Sequence, residues 1–311
     1  MKALKISLST AAALVATFAQ ANECPPAEGV ALQVLGSGGP IADDPRASSS
    51  YVVWIDGKSR VLIDAGGGSI LRFAEAKADF NELDFVGLSH FHADHAADFP
   101  ALLKSGNFSN RSRALIVTGP DGNDVFPGLN LFLDSMLRGK TGAFGYLSGY
   151  LDGSAALPKL AAFEIHHANT AEVLVLGDRY SRMQIDALHV PHGIVPSLAF
   201  RVRVNDEIIV FGSDQNGSNE KFVKFAENAS LLVMHLAIPE DTKGSARKLH
   251  APPSVIGDIA NRANAVTLVL SHFMARSLTH LDNNVNHVRS SYAGNIQIAS
   301  DLACYKINQQ E

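Results

Sequence analysis

Three imidazoles and a carboxylate fall within six positions, at His90, His92, Asp94 and His95, directly after the apolar run 83–88. Few folds can use such a segment. Residues 83–88 read as a short buried strand, and Ala96, Ala97, Phe99, Ala101, Leu102 and Leu103 as the opening of a helix. The ligand types therefore sit on a strand-to-helix loop. Side chains two apart on an extended chain share a face, so His90 and His92 can hold one ion; the turn into the helix swings Asp94 and His95 toward a second position. Neutral imidazole and carboxylate suit borderline divalent ions such as zinc. The plain alternative is a solvated His-rich loop.

One segment cannot complete two such sites, so further ligands must come from downstream. Three residues share one placement there, each following an apolar strand: His192 in Pro191-His192-Gly193, Asp214 after Phe211-Gly212-Ser213, and His272 after Leu270-Ser271. Strand ends are rigid mounts for ligands. Singly, each reads as a hydrogen-bonded rim residue. Together with the first segment they make seven ligands, enough for two ions if Asp214 bridges with its two oxygens.

The chain has 311 residues, 46% of them hydrophobic and 18% charged, enough for one large domain with its own core. Residues 1–21 stand apart. Lys2 and Lys5 make a basic start, residues 8–18 are apolar, and Ala19-Gln20-Ala21 is a small-x-small cleavage signal, the pattern of a secretory leader. Residues 22–311 are then expected to be a single hydrolase-sized domain, periplasmic or secreted. No membrane anchor is expected, because Ala21-Asn22-Glu23 before Cys24 is not a lipoprotein box and no other run approaches the roughly 20 apolar residues of a span. The net charge of -5 argues against nucleic acid as a partner, and losing Lys2 and Lys5 makes the mature chain more acidic still. Cys24 and Cys304 are the two cysteines; a bridge between the chain ends and a pair of separate thiols are equal readings.

Strand-like runs at 172–176, 183–190, 197–204 and 207–211 predict a second sheet with antiparallel strands. Residues 139–157, rich in Gly and Ser with Phe144, Tyr146 and Tyr150, lack a period and read as a surface loop or lid that touches substrate. His166, His167, His189, His235 and His280 read as structural or solvated.

Over about residues 32–276 the chain resembles the metallo-β-lactamase superfamily, and within it the ribonuclease Z-like branch. The likeness rests on His90-x-His92-x-Asp94-His95, Phe211-Gly212-Ser213-Asp214 and Ser271-His272-Phe273. Three turns add to it: Leu35-Gly36-Ser37-Gly38-Gly39-Pro40, Ile63-Asp64-Ala65-Gly66 and Gly119-Pro120-Asp121-Gly122. The resemblance implies an α/β fold, an αββα sandwich of two mainly antiparallel sheets flanked by helices, with the metals at one edge between the sheets. It assigns His90, His92 and His192 to one ion, Asp94, His95 and His272 to the other, and Asp214 to both; two Zn2+ ions are the expected cofactor.

Two departures matter. Where RNA-processing members carry His-Glu-Ala-Thr, this chain has His235-Leu236-Ala237-Ile238. Where they carry His-Ser-Thr, it has His250-Ala251-Pro252-Pro253, which keeps His250 as a proton donor. Only a short hairpin separates His192 from Asp214, leaving no room for the long arm with which those enzymes grip transfer RNA.

Two ions would lower the pKa of a shared water toward neutrality, Asp94 would aim it, and His250 would protonate the leaving oxygen. The true β-lactamases lack the bridging aspartate, so the expected substrate is a small anionic ester, a phosphodiester or an arylsulfate. Lactone or β-lactam hydrolysis is the alternative, and a non-catalytic exported metal-binding protein is the alternative of another class.

Overall fold

A computed structural model of the chain describes residues 24–168, 171–178 and 181–307. The leader read from residues 1–21 lies outside the described residues. The central strands are apolar on both faces because both faces are covered. In β1 (Val30–Gly36), Val30, Leu32 and Val34 join one hydrophobic cluster while Ala31 and Leu35 join another. In β2 (Ser50–Ile55), Tyr51, Val53 and Ile55 oppose Val52 and Trp54 in the same way. The first cluster fills the space between two sheets and continues under the helices that cover the second. The second lies under helices Ser69–Glu75, Phe99–Gly106 and Leu129–Leu137, to which it contributes Phe73, Phe99, Leu102 and Leu133.

The first sheet continues through β3 (Lys58–Ile63), β4 (Phe85–Gly87), β5 (Leu115–Pro120) and β6 (Leu160–Ile165), and β14 (Cys304–Ile307) pairs with β1 at its other edge. The second sheet runs β7 (Val173–Leu176), β8 (Met183–His192), β9 (Val195–Val204), β10 (Glu207–Phe211), β11 (Leu231–His235), β12 (Thr267–Ser271) and β13 (Asn295–Ile298), each beside the next. Helices Glu220–Phe225 and Pro253–Arg262 pack on it through Phe222, Phe225, Ile256 and Ile259. This is the expected αββα sandwich.

The sheets are mixed rather than mainly antiparallel. β7 to β10 pair antiparallel, as expected, and so do β14, β1, β2 and β3. The pairs β3–β4, β4–β5, β5–β6, β10–β11, β11–β12 and β12–β13 are parallel. Each parallel pair has a helix between its strands in the chain, and such a crossover returns the next strand in the same direction.

Residues 139–157 do not form a free lid. Leu147 and Tyr150 are buried in the second cluster, and the Tyr150 hydroxyl donates to the Leu103 carbonyl at 2.7 Å. The aromatic side chain there is a core anchor.

Cys24 and Cys304 are disulfide-bonded, with Cα atoms 5.8 Å apart, so the bridge is the reading that holds. It closes a loop of 280 residues in sequence separation. Loop entropy alone then predicts that reduction destabilises the fold by about 5 kcal/mol, through the freedom returned to the unfolded chain. Denaturant midpoints with and without reductant measure this, and coincident midpoints would refute it.

Candidate metal centre

The ligand types converge because six strands end at one place. Asp64 follows β3, His90 follows β4, His192 ends β8, Asp214 follows β10, His235 ends β11 and His272 follows β12. Three residues at these ends, Asp64, Ser213 and His272, hold φ near +60° (59°, 55° and 57°). The left-handed region costs a non-glycine residue about 1–2 kcal/mol, and the cluster sits where that cost recurs.

Asp214 lies at the centre, buried. Its Oδ2 faces Nε2 of His192 at 3.4 Å, of His95 at 3.8 Å and of His90 at 4.0 Å. Its Oδ1 faces His235 Nδ1 at 2.7 Å, His272 Nε2 at 3.4 Å and His250 Nδ1 at 3.8 Å. Burial alone would raise this carboxyl, but His272, His250 and His192 outweigh it and hold it well below the usual carboxylate range. Asp94, delivered by the single helical turn Ala93–Ala96, places Oδ2 3.1 Å from His272 Nε2 and 3.5 Å from His95 Nε2. It too is held low against burial, chiefly by His95 and His272. His92 is half-buried, its Nδ1 3.0 Å from His90 Nε2.

Outer partners fix the rings. Asp64 Oδ2 takes His95 Nδ1 at 2.7 Å and the Ser89 hydroxyl at 2.9 Å, and the Ser89 amide donates to Asp64 Oδ1 at 2.7 Å. His192 Nδ1 donates to the Leu249 carbonyl at 2.8 Å. Both rings are thereby turned so that Nε2 points inward, and among the described residues neither Nε2 has a hydrogen-bond partner. Burial works against a charged His95, yet Asp64 and Asp94 raise it well above the ordinary value. Gly66 allows the close packing behind this turn: a Cβ there would lie 2.2 Å from the Asp94 carbonyl oxygen.

Buried nitrogens without partners, aimed at carboxylates, fit a divalent cation. Two groups have their ligand atoms within 4.8 Å of one another: His90, His92, His192 and Asp214, and His95, Asp214, His235 and His272. The first is the expected set. In the second, His235 appears and Asp94 does not. His235 Nδ1 is already hydrogen-bonded to Asp214, whereas Asp94 faces both His95 and His272. We therefore read His235 as the residue that orients Asp214, and Asp94 as the better ligand.

His235 is not solvated: it is buried, stacks on His272 with centroids 4.5 Å apart, and places Nε2 3.2 Å from the Tyr51 hydroxyl. Tyr51 in turn reaches Ser271 Oγ at 2.9 Å. Burial pushes the His235 ring down to about 3, so it is neutral. Asp64 and His235 are the positioning residues that sequence reasoning did not assign; the visible signal was a polar residue at the end of an apolar strand in each case. His166, His167 and His189 surround Asp121 instead, with His167 Nδ1 2.6 Å from its Oδ2.

Such a cluster between two sheet edges is compatible with a divalent metal site, and known proteins resemble the chain that carries it. Residues 43–183 match the Metallo-beta-lactamase superfamily. The ribonuclease Z of Haloarcula marismortui is 25% identical over 86% of this chain and 93% of its own length. Human tRNase Z, short form, superposes with a TM-score of 0.68 at 19% identity, covering 90% of this chain and all (100%) of that one. The metallo-beta-lactamase fold protein YhfI from Bacillus subtilis gives 0.67 at 22% identity, with coverage of 90% and 100%. Residues 43–183 thus carry a metallo-beta-lactamase domain, and the likeness of the chain to curated proteins falls on ribonuclease Z.

Proposed function

We propose that residues 22–311 form one exported hydrolase domain that holds two divalent ions, zinc by preference, and cleaves a small anionic ester, a phosphodiester or arylsulfate. The carrying observation is Asp214, whose two oxygens each face three imidazoles. Ions bound there would make a water acidic enough to attack at neutral pH. The protein's own groups supply the rest. Asp94 accepts a hydrogen from the attacking water and aims its lone pair. Asp64, Leu249 and His235 keep His95, His192 and Asp214 from turning, so no reorganisation is needed during reaction.

His250 ends the strap behind helix Ser245–Leu249, buried, with its Nδ1 unpartnered among the described residues. Burial lowers it to about 4, with Asp214 pulling the other way. At pH 7 it meets substrate as a neutral N–H donor, and an anionic ester beside it raises its basicity toward that of a proton donor. His250→Ala should cost about a hundredfold on esters with poor leaving groups and far less on activated ones. An equal loss on both would remove it from that role.

Three features support a small, exported substrate over structured RNA. The net charge is -5. Only strands β9 and β10 with their tight turns separate His192 from Asp214, with no inserted arm. The disulfide and the leader pattern suit an oxidising compartment. No helix among the described residues is long and apolar enough to cross a membrane. The test is a panel of chromogenic phosphodiester, arylsulfate, lactone and β-lactam compounds, with a pre-tRNA, on metal-loaded protein. Turnover should be strongest on the first two; preferential cleavage of any of the others would overturn the substrate class.

A further inference from the structure

Beside the exposed edge of His92 the surface turns apolar. Residues 122–128 form a loop whose neck is pinched, since a Cβ on Gly122 would lie 2.5 Å from the Gly128 nitrogen. Inside it the Asn123 side-chain oxygen accepts from the amides of Val125 and Phe126 at 2.9 Å each. The Asn123 amide nitrogen donates across to the Ile194 carbonyl at 2.8 Å, fastening the loop to the turn that follows His192. Phe126 is thereby held with its ring 5.9 Å from the His92 ring, while Val125 and Ile194 are each 68% exposed.

Large apolar side chains gathered at the lip of a polar centre are not ordinary surface. Neither 122–128 nor 193–196 contains Lys or Arg, and Asp124 is exposed. These two segments therefore offer no cation to a second phosphate, and Asp124 repels one.

We propose that Val125, Phe126 and Ile194 form the subsite for an uncharged aryl or branched-alkyl group of the ester. The anionic head meets the His–Asp cluster while the apolar group leaves water against these three side chains. The proposal rests on the small-ester reading above and sharpens it: the substrate has one charged end and one apolar end.

The test is calorimetric binding of phenylphosphonate and methylphosphonate to the metal-loaded full chain, which needs no turnover. Phenylphosphonate should bind about tenfold tighter, from the area its ring buries. In Phe126→Ala, and independently in the double variant Val125→Ser with Ile194→Ser, that ratio should fall to about twofold or less. A folding check by thermal melting accompanies both variants, and the pair guards against one of them misfolding. Equal affinities in the parent, a ratio that survives both variants, or no phenylphosphonate binding would each overturn the subsite. Ester turnover without a phenyl preference removes the subsite alone. A phenyl preference without turnover of any ester removes the hydrolase reading alone.

Discussion

Asp214→Ala is expected to lose hydrolysis by about a thousandfold or more and to bind fewer than half of the ions held by the parent. An outer partner of a metal ligand typically contributes about 10–100-fold to affinity or activity. Asp214 is more than that, because its two oxygens face all six surrounding imidazoles, and no other carboxylate among the described residues does so. Removing it takes away the one group placed between both ligand sets. The variant should stay folded, since the cluster sits at the strand ends and the apolar layer between the sheets is untouched. Asp214→Asn keeps the shape and one oxygen for His235, and it should lose activity almost as fully with less cost in stability. Elemental analysis of the parent should find close to two ions per chain; one ion or none in active protein would sink the dinuclear reading, as would an Asp214→Asn protein with parental activity.

The metal-free protein should be acid-sensitive well above the carboxylate range. His235 is depressed to about 3 and His250 to about 4, in both cases mainly by burial, and burial also lowers His90. A buried ring whose folded pKa lies below 6.5 binds its proton only in the unfolded chain across that interval. Stability is therefore full above about pH 6.5 and falls as pH drops toward 4. His250 alone accounts for about 3 kcal/mol over this window and His235 for a similar amount, against a total of roughly 5–15 kcal/mol for a typical fold. Asp94 and Asp214 act lower down: their depressed values add stability that is kept above about pH 4 and lost only below it. His95, raised, contributes in the opposite sense, losing its share as pH climbs. Denaturant titrations of chelator-treated protein at pH 7 and pH 4.5 should differ by several kcal/mol. Equal midpoints would show that these rings are not held neutral.

His90, His92, Asp94 and His95 are legible in the chain because their spacing alone brings them together, and the helical turn at Ala93–Ala96 delivers them as spacing predicts. His192, Asp214 and His272 are legible because each follows an apolar strand, and parallel or hairpin pairing aligns those ends. The supporting residues are a different matter. His235 acquires its role from Tyr51, 184 positions away, and from Asp214, and Asp64 acquires its role from His95. No local pattern records such contacts. Tyr150 misleads for a related reason: in a segment without periodicity, a buried aromatic and an exposed one look alike. The substrate wall expected from residues 139–157 is proposed here for Phe126 and its neighbours, which sit in a turn that composition marks only as a loop.

The Cys24–Cys304 bond also decides how this protein bears force. Residue 304 lies on the strand that pairs with β1, and residue 24 shortly precedes β1, so the bond joins two points that are already neighbours in the sheet. Tension applied between residues 24 and 304 loads the sulfur–sulfur bond and leaves the sandwich unstretched. With the bond reduced, the same pull would strip β14 from β1 first, because only four residue pairs in register hold that edge. A single-molecule stretching trace should accordingly show no unfolding length gain in the oxidised protein, and stepwise extension beginning at the edge strand once thiols are restored.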